Sequence, residues 1–440
     1  MRTMFEELAA ELIAELNGSE VLLLNFAGEN SDFVRWNHGR VRQATNVVQR
    51  TLSLDLIVGS RHAHSWFVVS GRHAADLERG RAALRDLRSA VEDSPDDPHL
   101  LYATDVQNSE RCEPNQLQPT EDVLDAIAQS ADGVDLVGIY ASGGVCRGFA
   151  NSLGQRNWFE GYNLNFDWSL YHVEDRAVKC AYAGSNWSSQ EYEAKMRAAR
   201  EQVERLKTEP RTIAPGRYRA YLTPAALSEV LDVVAWGGFG LRDHKTKKST
   251  LLQLATGEKS LDERISLVED TAHGFGADFQ AQGFVKPERV TLIKQGKFAN
   301  CLASPRSARE FDSATNGASS SEFPEAASLE GGSLANHRVL AELGTGVYVS
   351  NLWYINYSDR NACRMTGMTR FATFWVENGE LIAPLKVMRF DETIYNLLGS
   401  HLVDLTQECE VILDPGTYGG RSTASVRLPG ALVDEFLFTL

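Results

Sequence analysis

Residues 371–387 read FATFWVENGELIAPLKV: two β-prone apolar runs, 371–376 and 381–387, flank Glu377-Asn378-Gly379. Asn-Gly tolerates positive φ at both central positions of a tight turn, which matches the twist of two antiparallel strands, so this stretch predicts a hairpin. Working outward, 289–303 predicts a second hairpin turning at Gln295-Gly296. Only two helical stretches interrupt the strand-like runs of 211–440, one near 224–235 and a shorter one near 391–399. Thr223-Pro224 starts the first, with a capping hydroxyl followed by a proline at a position that needs no amide proton. An antiparallel, barrel-like or highly curved sheet is therefore expected over 211–440. Residues 304–333, rich in Ser, Ala, Gly and Glu, read as a long loop of the kind that is either mobile or functional.

Upstream, the pattern mixes helices and strands. Phe5, Leu8, Leu12 and Leu16 fall at helical spacing over 1–16, and 21–26 is a short apolar strand. Leu52, Leu54, Leu56 and Val58 alternate with polar residues, and a polar turn at 59–64 leads to 65–70, which suggests an antiparallel meander. Leu77, Leu84, Leu87 and Val91 mark a helix over 72–92, 93–120 reads as a loop, and 121–131 as a helix. Residues 136–150 read as a strand, a glycine turn and a strand, and 158–183 as two more strands. Ser188 and Glu191 form a capping box for a helix carrying Tyr192, Met196, Ala199, Val203 and Leu206, which stops before Pro210. The expected class is α+β: an N-terminal α+β domain, 1–210, with an antiparallel sheet and helices, then a mainly antiparallel, barrel-like β domain, 211–440.

The 440 residues carry a net charge of −15. That balance argues against nucleic-acid binding, which draws on a surplus of Lys and Arg, and 242–248 is the one dense basic stretch. No apolar run approaches the ~18 residues of a membrane-spanning helix, and Glu6, Glu7, Glu11 and Glu15 spoil any signal-peptide reading. Six scattered cysteines without a CxxC pair suit a reducing cytoplasm and exclude the usual cysteine-based zinc motifs.

None of the ten histidines is followed by Glu, so no HExxH or HExxxH zinc helix exists. A G-x-S-x-G elbow, a Walker loop and a dinucleotide fingerprint are also missing, and Gly237-Gly238-Phe239-Gly240 reads as a helix C-cap and turn. His62 and His64 could be paired ligands, although solvated turn histidines are commoner. Asp243 and His244 before three lysines could capture an anion or simply form a solvated loop. Cys363, with Arg360, Arg364 and Arg370 nearby in sequence, could be an activated thiol, but a buried idle cysteine is the commoner case. Trp353, Tyr354, Tyr357, Phe371, Phe374 and Trp375 are mainly core by period, with one alternating set free to line a groove.

Taken in order, the pieces resemble the TldD/PmbA (TldE) family of DNA gyrase modulators, a group of metallopeptidases and metal-free relatives. The matching pieces are His38-Gly39-Arg40, 149–154 (FANSLG), 215–224 (PGRYRAYLTP), 315–318 (TNGA), 366–370 (TGMTR), 376–380 (VENGE) and 425–429 (SVRLP). The resemblance implies an N-terminal α+β domain, a C-terminal antiparallel β domain and dimerisation around an enclosed chamber. In the catalytic branch, a helix bearing HExxxH and a late cysteine hold the metal. By position that helix is 224–235 here, with the histidine places near Asp232 and Gly237 and the glutamate near Val233. Residues 415–427 contain no cysteine, Cys409 comes several residues earlier, and the family's Asp-x-Glu-Gly element is Gln280-Ala281-Gln282-Gly283. These departures imply the PmbA/TldE-like branch.

The resemblance thus implies a non-catalytic, cytoplasmic subunit with no catalytic residue, metal ligand or cofactor of its own. It would form a homo- or heterodimer, zinc being held only by a TldD-like partner, and help build a peptide-processing chamber with no nucleic-acid or membrane role. Asn316, Gly317, Thr366, Gly367 and Arg370 are the expected peptide contacts. Two alternatives stay open: a divergent metallopeptidase with a rearranged site drawing on His244, His273 or Asp270, and a metal-free homodimeric peptide-binding protein. The charge pattern lends nothing to the gyrase label.

Overall fold

The computed structural model describes residues 1–174 and 176–439. The N-terminal half is one seven-stranded sheet with helices against it. Helix α1 (Arg2–Ala14) buries Phe5, Leu8, Ala9 and Leu12, the stripe seen in the sequence. Strands β1 (Val21–Asn37) and β2 (Arg40–Val58) pair along their whole length, and β3 (Arg61–Val68) continues the meander. Their hairpin turns on His38-Gly39, both at positive φ (50° and 68°). Helix α2 (His73–Asp93), the short β4 (Ser109–Cys112) and α3 (Thr120–Ser130) follow. Then come β5 (Asp135–Asn151), β6 (Arg156–Val173), β7 (Arg176–Gly184) and α4 (Ser189–Leu206). The strand order is β3-β2-β1-β5-β6-β4, with β7 on the other stretch of the β6 edge.

Period-2 alternation sorts the side chains of this sheet. Leu22, Leu24 and Phe26 join α1 and α2 on one face, whereas Leu23 meets Phe149, Phe159 and Phe279 on the other. The expected glycine turn within 136–150 is absent, because β5 runs through it as one 17-residue strand. A Cβ at Gly143 would lie 2.2 Å from the Asn30 carbonyl oxygen, so this glycine permits a close approach of β1.

The C-terminal half holds two sheets. Strand β8 (Gly216–Leu222) leads to α5 (Pro224–Gly238), which breaks at Trp236-Gly237, then to α6 (Leu241–Lys245) and α7 (Leu252–Ala255). Next come β9 (Leu267–Glu269), β10 (Val290–Lys294), β11 (Lys297–Phe298), α8 (Pro305–Glu310), β12 (Ala326–Leu329) and α9 (Val339–Leu343). The remaining strands are β13 (Gly346–Asp359), β14 (Arg364–Glu377), β15 (Glu380–Pro384), β16 (Arg389–Thr393), β17 (Leu402–Leu405), β18 (Glu410–Leu413), β19 (Ser425–Leu428) and β20 (Ala431–Phe438). Strands β13, β8, β20, β16 and β14 close into a barrel through the β13–β14 pairing, in keeping with the α+β class and the barrel-like expectation. A six-stranded sheet, β11-β10-β9-β12-β19-β18, lies beside it. Leu227, Val230, Leu231 and Val234 of α5 share one core with Val347 and Val349 of the barrel and Leu267, Leu329 and Leu428 of the other sheet.

Both expected hairpins form: Asn378-Gly379 and Gln295-Gly296 carry positive φ at both positions. The helix expected near 391–399 forms only in part. Residues 389–393 are strand β16, paired with β14, and the helical turns begin only at Ile394, running through a wide turn at Asn396–Ser400. Barrel closure needs that strand and overrides local propensity. Residues 304–333 likewise hold α8, capped by Ser304, and β12 in the interior of the six-stranded sheet. Among the described residues no helix is long and apolar enough to cross a membrane.

Candidate functional site

Where the two halves meet, a cleft of about 630 Å³ opens between β7 and α4 on one side and the start of α5, β18 and the 414–424 loop on the other. Among the described residues β7 pairs as a strand only with β6 and β18 only with β19, and the second edge of β18 is touched at the Leu413 carbonyl by the Asn165 side-chain amide at 3.4 Å. The floor is set by α5. Thr223 Oγ1 accepts from the Ala226 amide at 3.3 Å and donates to the Ser350 carbonyl at 2.6 Å, fixing the first turn. With Leu227, Val230, Leu231 and Val234 turned to the core, helical spacing places Ser228, Glu229 and Asp232 along the cleft.

The charges around it do not balance. Lys179 pairs with Asp167 at 3.2 Å, and Lys195 with Glu410 at 2.6 Å. Glu229, Asp232 and Asp414 also line the cleft, and among the described residues none has a cation within 4 Å. Glu229 and Asp232 stay exposed in the cleft, and its walls strip part of their hydration. That desolvation, with the charge of Asp414 second, pushes the Asp232 carboxyl up to about 6. Glu229 is raised by the same desolvation and by Asp232. Asn351, 6% exposed, also lines the cleft, and its Oδ1 is buried without a donor.

The residues singled out in the sequence fall elsewhere. Asn316 pins its own loop, accepting from the Ala303 amide at 2.9 Å and donating to the Cys301 carbonyl at 2.8 Å, and Gly317 follows at φ 69°. Thr366 Oγ1 donates to the Phe390 carbonyl at 2.8 Å, and Gly367 makes room for the Phe390 ring, both within the barrel. Arg370 stacks on Trp353, 4.6 Å from the ring centre. The five therefore lie in two separate places, and none lines the cleft.

His62 sits on β3 against Asp55 at 3.1 Å, and His64 is exposed on the same strand. His244 lies 2.7 Å from the Gly238 carbonyl, burial lowers its pKa, and Lys245, Lys247 and Lys248 beside it are exposed. His273 and Asp270 pair with each other at 2.9 Å. Cys363 is fully buried and its thiol is pushed up to about 12 by desolvation, the opposite of activation. Sequence reasoning gave Asp232 no role of its own and missed Glu229, Asp414 and Asn351. The i, i+3 spacing of Glu229 and Asp232 on a helix already recognised was the available signal.

Comparison with known proteins bears on this cleft. The domain described as the PmbA/TldA metallopeptidase C-terminal domain matches residues 215–439. No curated protein matches the sequence. TldE from Thermococcus kodakarensis superposes with a TM-score of 0.79 at 14% identity, covering 99% of this chain and 100% of that one. A proposed modulator of a DNA gyrase from Thermotoga maritima gives 0.78 at 15%, with 99% and 100% covered. One from Bacteroides thetaiotaomicron gives 0.73 at 16%, with 100% and 98% covered. At such identities the likeness is one of fold.

A metallopeptidase domain implies a metal, and the donors here do not fit one. The cleft face of α5 offers carboxylates and no imidazole, whereas zinc sites draw on His and Cys. Cys409 Sγ is directed at the Leu329 carbonyl, 3.7 Å away. Among the described residues no three His, Cys, Asp or Glu side chains converge to hold an ion.

Proposed function

Because the chain belongs to the PmbA/TldD family, we propose that it acts as a peptide-binding subunit without a catalytic metal of its own, assembling with a metal-bearing relative that cuts the peptide. The observation that carries this reading is the pair of one-sided strands, β7 and β18, lining one cleft. An extended peptide laid along such an edge satisfies its own amides and carbonyls and those of the strand together, the physics of strand addition. The carboxylate-only donor set on α5 supports assigning the chemistry to a partner. Six unpaired cysteines, two of them buried, support a reducing, cytoplasmic setting. Binding by Asn316, Gly317, Thr366, Gly367 and Arg370 would need a peptide path outside the cleft, so the proposed contacts move to its walls.

The test combines metal analysis of the purified chain, peptide cleavage with and without an HExxxH-bearing partner from the same host, and binding of an unstructured peptide and its backbone N-methylated form. The expected result is substoichiometric metal, cleavage only with the partner, and binding weakened about tenfold by methylation, the loss of one or two backbone hydrogen bonds. Stoichiometric zinc with chelator-sensitive cleavage by the chain alone would overturn it. Peptide binding by a metal-free homodimer with no such partner would leave the binding role and remove the processing role.

A further inference from the structure

Beyond the cleft, the seam between the halves forms a second pocket of about 470 Å³ that opens to solvent, and Ala424 lines both. Strands β1, β2 and β5 form one wall, and residues of the 269–286 and 319–326 segments form the other. Its charged groups divide into those already engaged and those left over. Lys286 Nζ is held by Glu325 Oε2 at 2.5 Å. The Glu269 carboxylate accepts from the Glu325 and Ala326 amides at 3.0–3.1 Å. Both acids thus have donors.

The donors left over are Arg147 and Gln280. Arg147 projects from β5 on the face opposite Cys146, and among the described residues its side chain makes one hydrogen bond, from Nη1 to the Cys146 carbonyl at 2.9 Å. Among the described residues it has no carboxylate within 4 Å, although burial disfavours its charge. Gln280 is 8% exposed, and its Oε1 accepts from the Gln282 amide. Its Nε2 is buried without an acceptor. The half-buried guanidinium keeps its remaining N–H groups free toward the pocket, and the buried Gln280 amide, left without an acceptor, costs folding free energy. One ligand carrying acceptor oxygens would satisfy both, and the planar fork of a guanidinium matches a carboxylate bidentately.

We propose that this second pocket is a carboxylate-binding site in which the Arg147 guanidinium grips the anion and the Gln280 side-chain amide donates to it. The carboxylate can come from a small organic acid or from the C-terminus of a peptide, and the probes separate these sources. Titration calorimetry on the full chain would use succinate, acetyl-trialanine as the free acid, its C-terminal amide, and inorganic phosphate. Binding by succinate or by the free acid supports the site and names its source. The amide should bind at least about tenfold more weakly, the worth of one charge-assisted pair. Arg147→Gln should abolish binding and Arg147→Lys restore part of it. Gln280→Leu, which leaves every charge in place, should weaken it about fivefold, one neutral hydrogen bond. If Arg147→Gln does not fold, Gln280→Leu and the acid–amide comparison decide. Failure of both carboxylates at millimolar concentration, equal binding of acid and amide, unchanged affinity in the variants, or binding of phosphate alone would overturn the proposal.

Discussion

Lys195 Nζ of α4 lies 2.6 Å from Glu410 Oε2 of β18, so an ion pair ties helix α4 to the six-stranded sheet across the cleft. Burial opposes the lysine's charge, but the attraction of Glu410 outweighs it and raises the lysine pKa. The pair is half-open to water, which limits its worth to about 1 kcal/mol. Lys195→Met and Glu410→Gln should each lower stability by about that much, and the double variant by little more than either. Equilibrium unfolding of the three variants checks this. Fully additive losses would mean that the pair contributes nothing.

Arg421 anchors the loop that walls the cleft. It donates to the Asn163 carbonyl at 2.8 Å, to the Asn163 side-chain oxygen, and at 3.3 Å to Ser31 and to the Gly143 carbonyl. Its own amide reaches Glu29 at 2.8 Å. Arg421→Ala leaves these buried acceptors unmatched and should cost about 2–4 kcal/mol. Hydrogen exchange should show 414–424 losing protection before the rest of the chain. Unchanged exchange there would deny the anchoring role.

Glu269 predicts a pH dependence. Burial, outweighing two amide donors, lifts its carboxyl from 4.5 to about 7. The folded state therefore keeps a proton that the unfolded chain releases, and stability falls as pH rises from about 4.5 to about 7. The native protein should lose about 2–3 kcal/mol more than Glu269→Gln across that window. Denaturant titrations at pH 5 and pH 8 measure the difference, and parallel losses would count against a shifted Glu269.

The cysteines should separate by accessibility. Cys112 is exposed, whereas desolvation pushes Cys146 up to about 11 and Cys363 up to about 12. With a thiol reagent at pH 7.5, Cys112 should label first and these two only as the chain unfolds, roughly a hundredfold slower. Rapid labelling of Cys363 in the folded protein would revive its reading as an activated thiol.

Local chemistry made much of the fold legible. Asn378-Gly379 and Gln295-Gly296 name their turns because few residue pairs accept positive φ twice, and Thr223-Pro224 and Ser188 announce helices through the amides they cap. The start of the helix expected near 391–399 was misread, since 391–393 belong to a strand whose short length carries too little period to separate it from helix until a neighbour pairs with it. Gly143 was misread because a glycine that permits close approach looks in sequence like one that permits a turn.

The sequence by itself determined the α+β class, the barrel-like second half and the lack of an HExxxH helix, since each follows from residues within a few positions of one another. Only the tertiary structure decided the candidate sites. Asp232 meets the field of Asp414, and Arg147 shares a pocket with Gln280, because a helix, a strand and loops far apart in sequence bring these residues to one seam. Burial and charge proximity act through space, and no local pattern of side chains encodes them over such separations.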